Sequence, residues 1–229
     1  FFQAYEGIRD LVLYRGLGDA YKRQTFMNKT KCSDTIKHCR STLKKESTKI
    51  DDVKINCPDK IPDHRGFFSE TFNSDKFKRN GLDLSFCQDN HSLSEKAGTL
   101  RGMHFQINPY AQGKLLRVIR GAIYDVAVDI RAGSPTFGEW VGYEISAKLW
   151  NQIFIPVGFA HGFCTLEDNT EVMYKVTAPY SPENERGLAW NDGELAIDWP
   201  IENNAPILSE KDTSYPELRN LPTFFKYEF

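Results

Sequence analysis

The sequence is poor in histidine and has no paired cysteine motif, which limits the metal sites that it could build. It contains only five histidines, and none of its five cysteines stands at Cys-x-x-Cys spacing from another. An odd number of cysteines without that spacing indicates neither a disulfide framework nor a zinc site. Reduced thiols in a cytoplasmic protein are the expected state.

Long apolar runs and a strong excess of one charge are missing as well. No run approaches the roughly 20 residues that cross a membrane as a helix. The formal net charge is -2, so the chain as a whole has no attraction for nucleic acid. Because 40% of the residues are hydrophobic and 26% are charged, wholesale disorder is excluded. We therefore expect a cytoplasmic globular protein that binds neither membranes nor nucleic acid.

The first 46 residues differ in composition from the remainder. The chain opens on Phe1, Met27 is a plausible start, and the residues before it look like upstream or adapter-derived translation. Residues 28–49 are rich in Lys, Ser and Thr, which is typical of a solvated tail with at most a short helix. We expect an N-terminal extension over residues 1–46, disordered or partly non-native, and a folded domain over residues 47–229.

From Ile50 onward, short β-rich runs alternate with Gly, Pro, Asn and Asp. Residues 123–130 alternate with a period of two, which predicts a strand, and a break at Arg120-Gly121 separates them from another strand. Further strands are predicted over four ranges: 140–145, 152–155, 163–166 and 171–176. Many short strands indicate a sandwich or barrel. Helix is limited to residues 74–79, capped by Asn73 or Ser74, and to a short piece after Ser209.

A Pro-x-Gly-x-x-His pattern, formed by Pro156, Gly158 and His161, resembles the second motif of the cupins. A plain turn with an incidental histidine is the alternative. The first motif of a metal-binding cupin supplies His-x-His and a glutamate, whereas this chain has His104-Phe105-Gln106. Three or four metal ligands cannot be assembled from these residues. We expect an all-β cupin jelly roll with a few short helices, without a metal, that works by acid–base chemistry.

One short stretch concentrates groups that suit proton transfer. His104 lies close in sequence to Arg101 and Lys114, on a predicted strand, loop and strand. Histidine is the side chain best suited to exchange protons near neutral pH, and nearby cations favour an anion or an enolate. We interpret this stretch as half of a proton-abstraction site. Taken alone, Lys114 would be a solvated hairpin lysine and His104 a structural histidine.

From about Lys49 to Asp212 the sequence resembles the dTDP-4-dehydrorhamnose 3,5-epimerase family. The matching stretches occur in order and cover nearly all of the cupin part. They are Asp63–Glu70, Gln88–Ser92, Leu100–Gln106, Gln112–Lys114, Ser134–Gly138, Ile155–Phe163, Glu185–Gly187, Trp190–Asp192 and Ile197–Pro200. The resemblance implies a dTDP-linked 4-keto-6-deoxy sugar as the substrate, no cofactor, and a homodimer that pairs strands near residues 53–56.

The resemblance also implies residue roles. His104 corresponds to the base, Asp212 to its carboxylate partner, Tyr174 to the acid on the other face of the sugar, and Lys114 to the cation beside the C4 oxygen. The residues that correspond to substrate ligands are Arg65, Glu70, Gln88, Asp89, Asn90, Arg101, His161, Glu185 and Lys211. Arginine suits a diphosphate because its planar fork meets two oxygens at once.

Several alternatives stay open at this point. Tyr174 lies on an apolar strand and reads as a core residue without the resemblance, and Arg65 and Glu70 read as a surface pair. A relative that inverts only one carbon, a 3,4-ketoisomerase, or a sugar-nucleotide-binding cupin without catalysis would share many of these residues. A metal-dependent cupin oxygenase is disfavoured by the missing His-x-His.

Overall fold

The computed structural model describes residues 44–201 and 205–227, which are mostly short strands. The strands are β1 Lys44–Ser47, β2 Lys54–Cys57, β3 Ile61–Asp63, β4 Gly66–Phe68, β5 Gln88–Ser94, β6 Leu100–Gln106, β7 Lys114–Arg120, β8 Ala122–Asp129, β9 Arg131–Ala132, β10 Trp140–Ser146, β11 Gln152–Ile155, β12 Phe159–Thr165, β13 Thr170–Val176, β14 Glu185–Gly187 and β15 Phe225–Lys226. Helix α1 covers Ser74–Arg79, and single 3-10 turns cover Pro182–Asn184, Lys211–Thr213 and Leu218–Asn220.

Two antiparallel sheets make the body of the domain. A six-stranded sheet has the order β1-β2-β11-β7-β13-β5, and a five-stranded sheet has the order β10-β8-β12-β6-β14. Two small sheets, β3-β4 and β15-β9, lie beside them. The predicted all-β double-sheet fold is therefore confirmed. In the described ranges, no helix is long and apolar enough to span a bilayer.

The main core lies between the two large sheets. Leu116, Val118 and Val172 come from the six-stranded sheet, and they share one cluster of buried side chains with Ile123 and Phe163 of the five-stranded sheet. Alternating strand residues point to opposite faces, so each strand that contributes to this core turns its other residues outward. Burial of these apolar surfaces is what holds the sheets face to face.

Each sheet also packs a layer on its outer face. Helix α1 buries Phe77 with Leu115 and Phe154 against the six-stranded sheet. Asn73 caps this helix through its side-chain oxygen, which accepts a hydrogen bond from Lys76 N, as the sequence predicts. On the five-stranded sheet, Leu188, Trp199 and Phe225 of the C-terminal part cover apolar strand residues. The cavity described below lies between the two large sheets. The outer layers pack on the opposite faces of these sheets.

Two sequence predictions need correction. The predicted solvated tail over residues 28–49 is wrong at its end, because Lys44–Ser47 pairs with β2 and Thr48 is buried. This strand crosses the predicted boundary between residues 46 and 47; residues 1–43, with the expected start at Met27, lie outside the described part. The strand predicted from residue 163 begins at Phe159. Its start was not predicted because its residues are buried on both faces and show no alternation.

Candidate active site

A bulge between β6 and β12 turns two functional side chains toward the same cavity. His161 pairs with His104 and Phe163 with Arg101, so β6 carries one residue more than β12 between these pairs. Residues three apart on a regular strand point to opposite faces, yet Arg101 and His104 both line the cavity. Gly102 lets the backbones of β6 and β12 approach closely, because a Cβ atom at this position would lie 2.4 Å from the Cα of Gly162.

His104 and Asp212 form a hydrogen-bonded dyad. The Nε2 atom of His104 lies 2.5 Å from Oδ1 of Asp212, whose side chain is buried. Burial opposes the charge of Asp212, but hydrogen bonds from His104 and Ser209 lower the pKa of this carboxyl below its usual value. An ionised carboxylate fixes the tautomer of the histidine and stabilises the imidazolium. The other ring nitrogen of His104, Nδ1, is then the atom available for proton exchange with a substrate.

Lys114 lies beside the dyad, where its side chain is partly buried and lines the cavity. Its Nζ donates a hydrogen bond of 3.1 Å to the carbonyl oxygen of His104. Burial lowers the pKa of Lys114 to about 8, although the carboxylates of Asp125 and Glu185 favour its charged form. A cation in such a place can neutralise an oxygen that becomes negative, at little cost in reorganisation.

A second histidine–aspartate pair supports this wall. His161 is buried on β12, and its Nε2 lies 2.9 Å from Oδ2 of the fully buried Asp125 on β8. Burial lowers the pKa of His161, with a further contribution from Lys114. His161 is therefore a strand residue that lines the cavity, and the alternative of an incidental histidine in a turn is wrong.

The opposite wall of the cavity is built by the six-stranded sheet. Tyr174 on β13 packs against the main core and lines the cavity. Burial raises the pKa of Tyr174, so its hydroxyl stays protonated at neutral pH. Gln88 and Asn90 of β5 join it, and Gln88 Nε2 donates to Asn90 Oδ1 at 2.8 Å. Histidine and tyrosine thus stand on different sheets, on two sides of one space.

Charged and aromatic side chains also line the cavity. Lys211 Nζ lies 2.9 Å from Glu185 Oε1, and the hydroxyl of Tyr180 donates to Glu185 Oε2 at 3.0 Å. Burial would raise the pKa of Glu185, but these hydrogen bonds outweigh it and lower the pKa. Arg101 is held by Ser94, because its Nε donates to Ser94 Oγ at 3.1 Å. Cationic groups are thus presented to an anionic ligand.

The cavity has a volume of about 630 Å³, within the size range of small-ligand sites. It contains most of the residues that the resemblance assigned to catalysis or substrate binding. These are Gln88, Asn90, Arg101, His104, Lys114, His161, Tyr174, Glu185, Lys211 and Asp212. Within the described residues, no group of three or more His, Cys, Asp or Glu side chains is arranged to hold a metal ion.

Three predicted ligand residues lie outside this cavity. Asp89 points to the other face of β5 from Gln88 and Asn90, where it forms an ion pair with Lys175; its assignment as a substrate ligand stays a prediction. Arg65, in the exposed β3–β4 hairpin, pairs with Asp63. Glu70 pairs with Lys76 of α1 at 2.8 Å, so the expected Arg65–Glu70 surface pair does not form either.

Sequence reasoning missed several residues that build the site. Ser209 and Tyr180 line the cavity, Asp125 supports His161, and the ring of Tyr215 lies edge-on to His104 at 5.7 Å between centroids. Asp125 alternates with apolar residues on a predicted strand, and an acidic residue in such a place is a signal for a buried partner. Serine and tyrosine in a loop give no comparable signal, because they are common at the surface.

Comparison with known proteins finds one family. The family profile described as dTDP-4-dehydrorhamnose 3,5-epimerase matches residues 47–220. A protein of that name from Sinorhizobium fredii is 52% identical over 182 residues, which cover 80% of this chain and 93% of the relative.

Two solved structures are also similar. The epimerase of that name from Bacillus anthracis, with TDP and PPi bound, is 50% identical with a TM-score of 0.74, over 77% of this chain and 99% of that chain. A dTDP-6-deoxy-D-glucose-3,5-epimerase from Legionella pneumophila, in complex with dTDP-4-keto-L-rhamnose, is 42% identical with a TM-score of 0.78, over 82% of this chain and 100% of that chain.

Proposed function

Because this chain belongs to the dTDP-4-dehydrorhamnose 3,5-epimerase family, we propose that it inverts C3 and C5 of dTDP-4-dehydro-6-deoxy-D-glucose, giving dTDP-4-dehydro-L-rhamnose for dTDP-L-rhamnose synthesis. One observation carries the proposal: a candidate base, His104, and a candidate acid, Tyr174, stand on opposite walls of one cavity. Inversion of a carbon needs a proton removed from one face and another delivered to the opposite face.

Proton removal is the first step. The protons at C3 and C5 are acidic because both carbons adjoin the C4 ketone. His104 accepts such a proton through Nδ1, and Asp212 at Nε2 stabilises the resulting imidazolium. The electron pair of the broken C–H bond moves into the ketone, which becomes an enolate with its negative charge on the C4 oxygen.

Lys114 stabilises this enolate. Its ammonium group lies close to His104 and is partly buried, so a charge–charge attraction there is stronger than in water. Loss of one such donor typically raises a reaction barrier by about 3–4 kcal/mol. The neutral Tyr174 hydroxyl then delivers a proton to the carbon from the other wall, so the enolate returns to the ketone with inverted configuration. The tyrosinate takes a proton from solvent and the imidazolium releases one to solvent, which resets both groups for the second carbon.

Substrate binding falls to the polar rim of the cavity. Arg101 and Lys211 supply positive charge for the diphosphate, and Glu185 is held between Lys211 and Tyr180. Gln88, Asn90 and His161 complete the groups that reach the sugar nucleotide. No residue in this scheme requires a metal or an organic cofactor.

A homodimer is the proposed assembly. The β3–β4 hairpin exposes large apolar side chains, with Ile61 at 62% and Phe68 at 68% exposure, which is typical of a surface that a partner covers. A second copy that covers this side would bury the hairpin of Arg65. The thiols of Cys87 and Cys164 fit the proposed cytoplasmic location.

Incubation with the 4-keto sugar nucleotide in D2O tests the reaction. We expect deuterium at both C3 and C5 and a product of L-configuration. Exchange at one carbon only would assign the chain to single-carbon epimerases, and binding without exchange would make it a sugar-nucleotide-binding cupin.

Two histidine variants test the base. His104→Ala is expected to abolish exchange, whereas His91→Ala is the matched control. His91 lies exposed on β5, where it contacts Glu171 at 3.0 Å and lies outside the cavity lining. Near-normal exchange in His104→Ala would remove His104 from the role of base.

A further inference from the structure

The carboxylate of Asp212 has a second partner besides His104. Its Oδ1 faces His104, and its Oδ2 accepts a hydrogen bond of 2.7 Å from the hydroxyl of Ser209. We propose that Ser209 is a positioning residue of the reaction, which holds the Asp212 carboxylate in the one orientation that serves His104. This inference rests on the proposed function, in which the His104–Asp212 dyad is the base.

The local backbone places Ser209 for this task. The amide of Asp212 donates a hydrogen bond of 3.1 Å to the Ser209 carbonyl, which closes the turn just before the 3-10 helix Lys211–Thr213. The side chain at the N-cap of that helix, Glu210, makes no capping hydrogen bond. Ser209 therefore contacts Asp212 twice, once through the backbone and once through the hydroxyl, and the hydroxyl is the part aimed at the carboxylate.

A carboxylate held at one oxygen only would keep rotational freedom. The terminal torsion of an aspartate is broad and roughly two-fold, so rotation exchanges or tilts the two oxygens. With Oδ2 fixed by Ser209, Oδ1 stays directed at His104, and the imidazole keeps its orientation toward the cavity. Positioning of this kind matters because small displacements of a catalytic group reduce rates strongly.

Electrostatics around the dyad point the same way. Asp212 is buried, and its charge is supported by hydrogen bonds from His104 and Ser209 and by the nearby Lys211, which together lower its pKa against the effect of burial. The charge of His104 also contributes to the lowered pKa of Glu185 on β14. Ser209 supplies a neutral donor, so it supports the carboxylate without adding a cation that would compete with the imidazolium.

The test measures steady-state kinetics with dTDP-4-dehydro-6-deoxy-D-glucose on the full chain. We expect Ser209→Ala to lower kcat on the order of 10-fold, as for a lost hydrogen bond to a charged group, with KM nearly unchanged. Ser209→Thr, which keeps the hydroxyl, should recover most of kcat. Ser214→Ala is the matched control, because Ser214 bonds only the Lys211 carbonyl and is exposed.

Proton NMR gives a readout that is independent of turnover. The low-field resonance of the His104–Asp212 hydrogen bond should shift or broaden in Ser209→Ala and stay in place in Ser214→Ala. A purely structural role of Ser209 would lower the unfolding temperature of Ser209→Ala and leave this resonance in place.

Distinct outcomes would overturn the proposal. A raised KM with unchanged kcat would make Ser209 a substrate ligand, and equal losses in Ser209→Ala and Ser214→Ala would indicate general weakening of the segment. If the wild type turns over and His104→Ala does not, a normal kcat in Ser209→Ala refutes the positioning role alone. If His104→Ala remains active, the proposed base itself fails.

Discussion

Burial of a single lysine sets the expected pH range of the enzyme. Lys114 has an ordinary pKa of 10.5, which burial lowers to about 8. The folded protein therefore disfavours the charged form, and the ammonium loses its proton as the pH rises through about 8. Enolate stabilisation needs the charged form, so activity should be present below that pH and decline above it.

The pH dependence of kcat/KM checks this, because it reports groups of the free enzyme. We expect a basic limb centred near pH 8 in the wild type. Lys114→Arg, which stays charged, should be slower because the planar guanidinium fits the place poorly, and its basic limb should move to higher pH. A wild-type profile that stays flat up to pH values well above 8 would contradict the role given to Lys114.

Gly187 makes room for an aromatic ring that borders the base. It pairs with His104 across β14 and β6, and a Cβ atom at Gly187 would lie 2.4 Å from the ring of Tyr215. Tyr215 in turn meets the His104 ring edge-on. Gly187→Ala should therefore displace Tyr215, destabilise the protein by about 1–3 kcal/mol, and lower kcat.

Thermal unfolding and turnover of the variants check this prediction. Gly193→Ala is the control, because a Cβ at Gly193 meets no atom within 4 Å. The double variant Gly187→Ala/Tyr215→Ala lacks the clash. It should therefore be more stable than the sum of the two single substitutions predicts. If the two substitutions change the stability additively, Gly187 does not make room for the Tyr215 ring.

The candidate site was predictable for residues whose side chains are titratable or charged. His104, Lys114 and Arg101 were found from their proximity in sequence, and the structure brings them to one cavity. Asp89 lies outside the cavity because strand alternation separates the members of the matching stretch Gln88–Ser92 onto two faces. Ser209 was missed because its role depends on a turn that only the folded backbone shows.

At the scale of elements, the bulge in β6 is the feature that was not predicted from the sequence. Most of the longer strands and helix α1 follow from alternation, turn residues and capping. The strands of two or three residues were not predicted, and one predicted end is wrong because burial on both faces removes the alternation. A regular β6 would send Arg101 and His104 to opposite faces. Gly102 was the available signal, because a glycine inside a strand pattern often marks a bulge or a close backbone approach.

Gly102→Ala tests this element. The added Cβ would meet backbone atoms of Gly162, which cannot move aside without shifting β12. We expect a loss of stability of about 1–3 kcal/mol and a fall in kcat with a rise in KM, because both the base and Arg101 move. Denaturant unfolding with parallel kinetics measures this, again with Gly193→Ala beside it. Wild-type kinetics in a stable Gly102→Ala protein would mean that the site does not need the close approach of β6 and β12.

At the scale of the whole molecule, the exposed hairpin predicts association. Phe68→Asp should weaken the proposed dimer, because a charge in a covered apolar patch is costly. Phe137→Asp is the control, since Phe137 is also exposed, at 48%, but lies in the loop between β9 and β10. Light scattering after gel filtration should give a dimer for the wild type and the control, and smaller species for Phe68→Asp. A wild type that elutes only as a monomer would refute the assembly.

The dyad joins residues that lie 108 positions apart in the chain, and this separation orders events during synthesis. His104 leaves the ribosome with the early strands, while Asp212 emerges after the last strand of the two large sheets, β14. The dyad can therefore form only after all strands of the two large sheets have been made. Cleavage between Gly187 and Asp212 would leave those strands intact and cut the chain between His104 and its carboxylate partner.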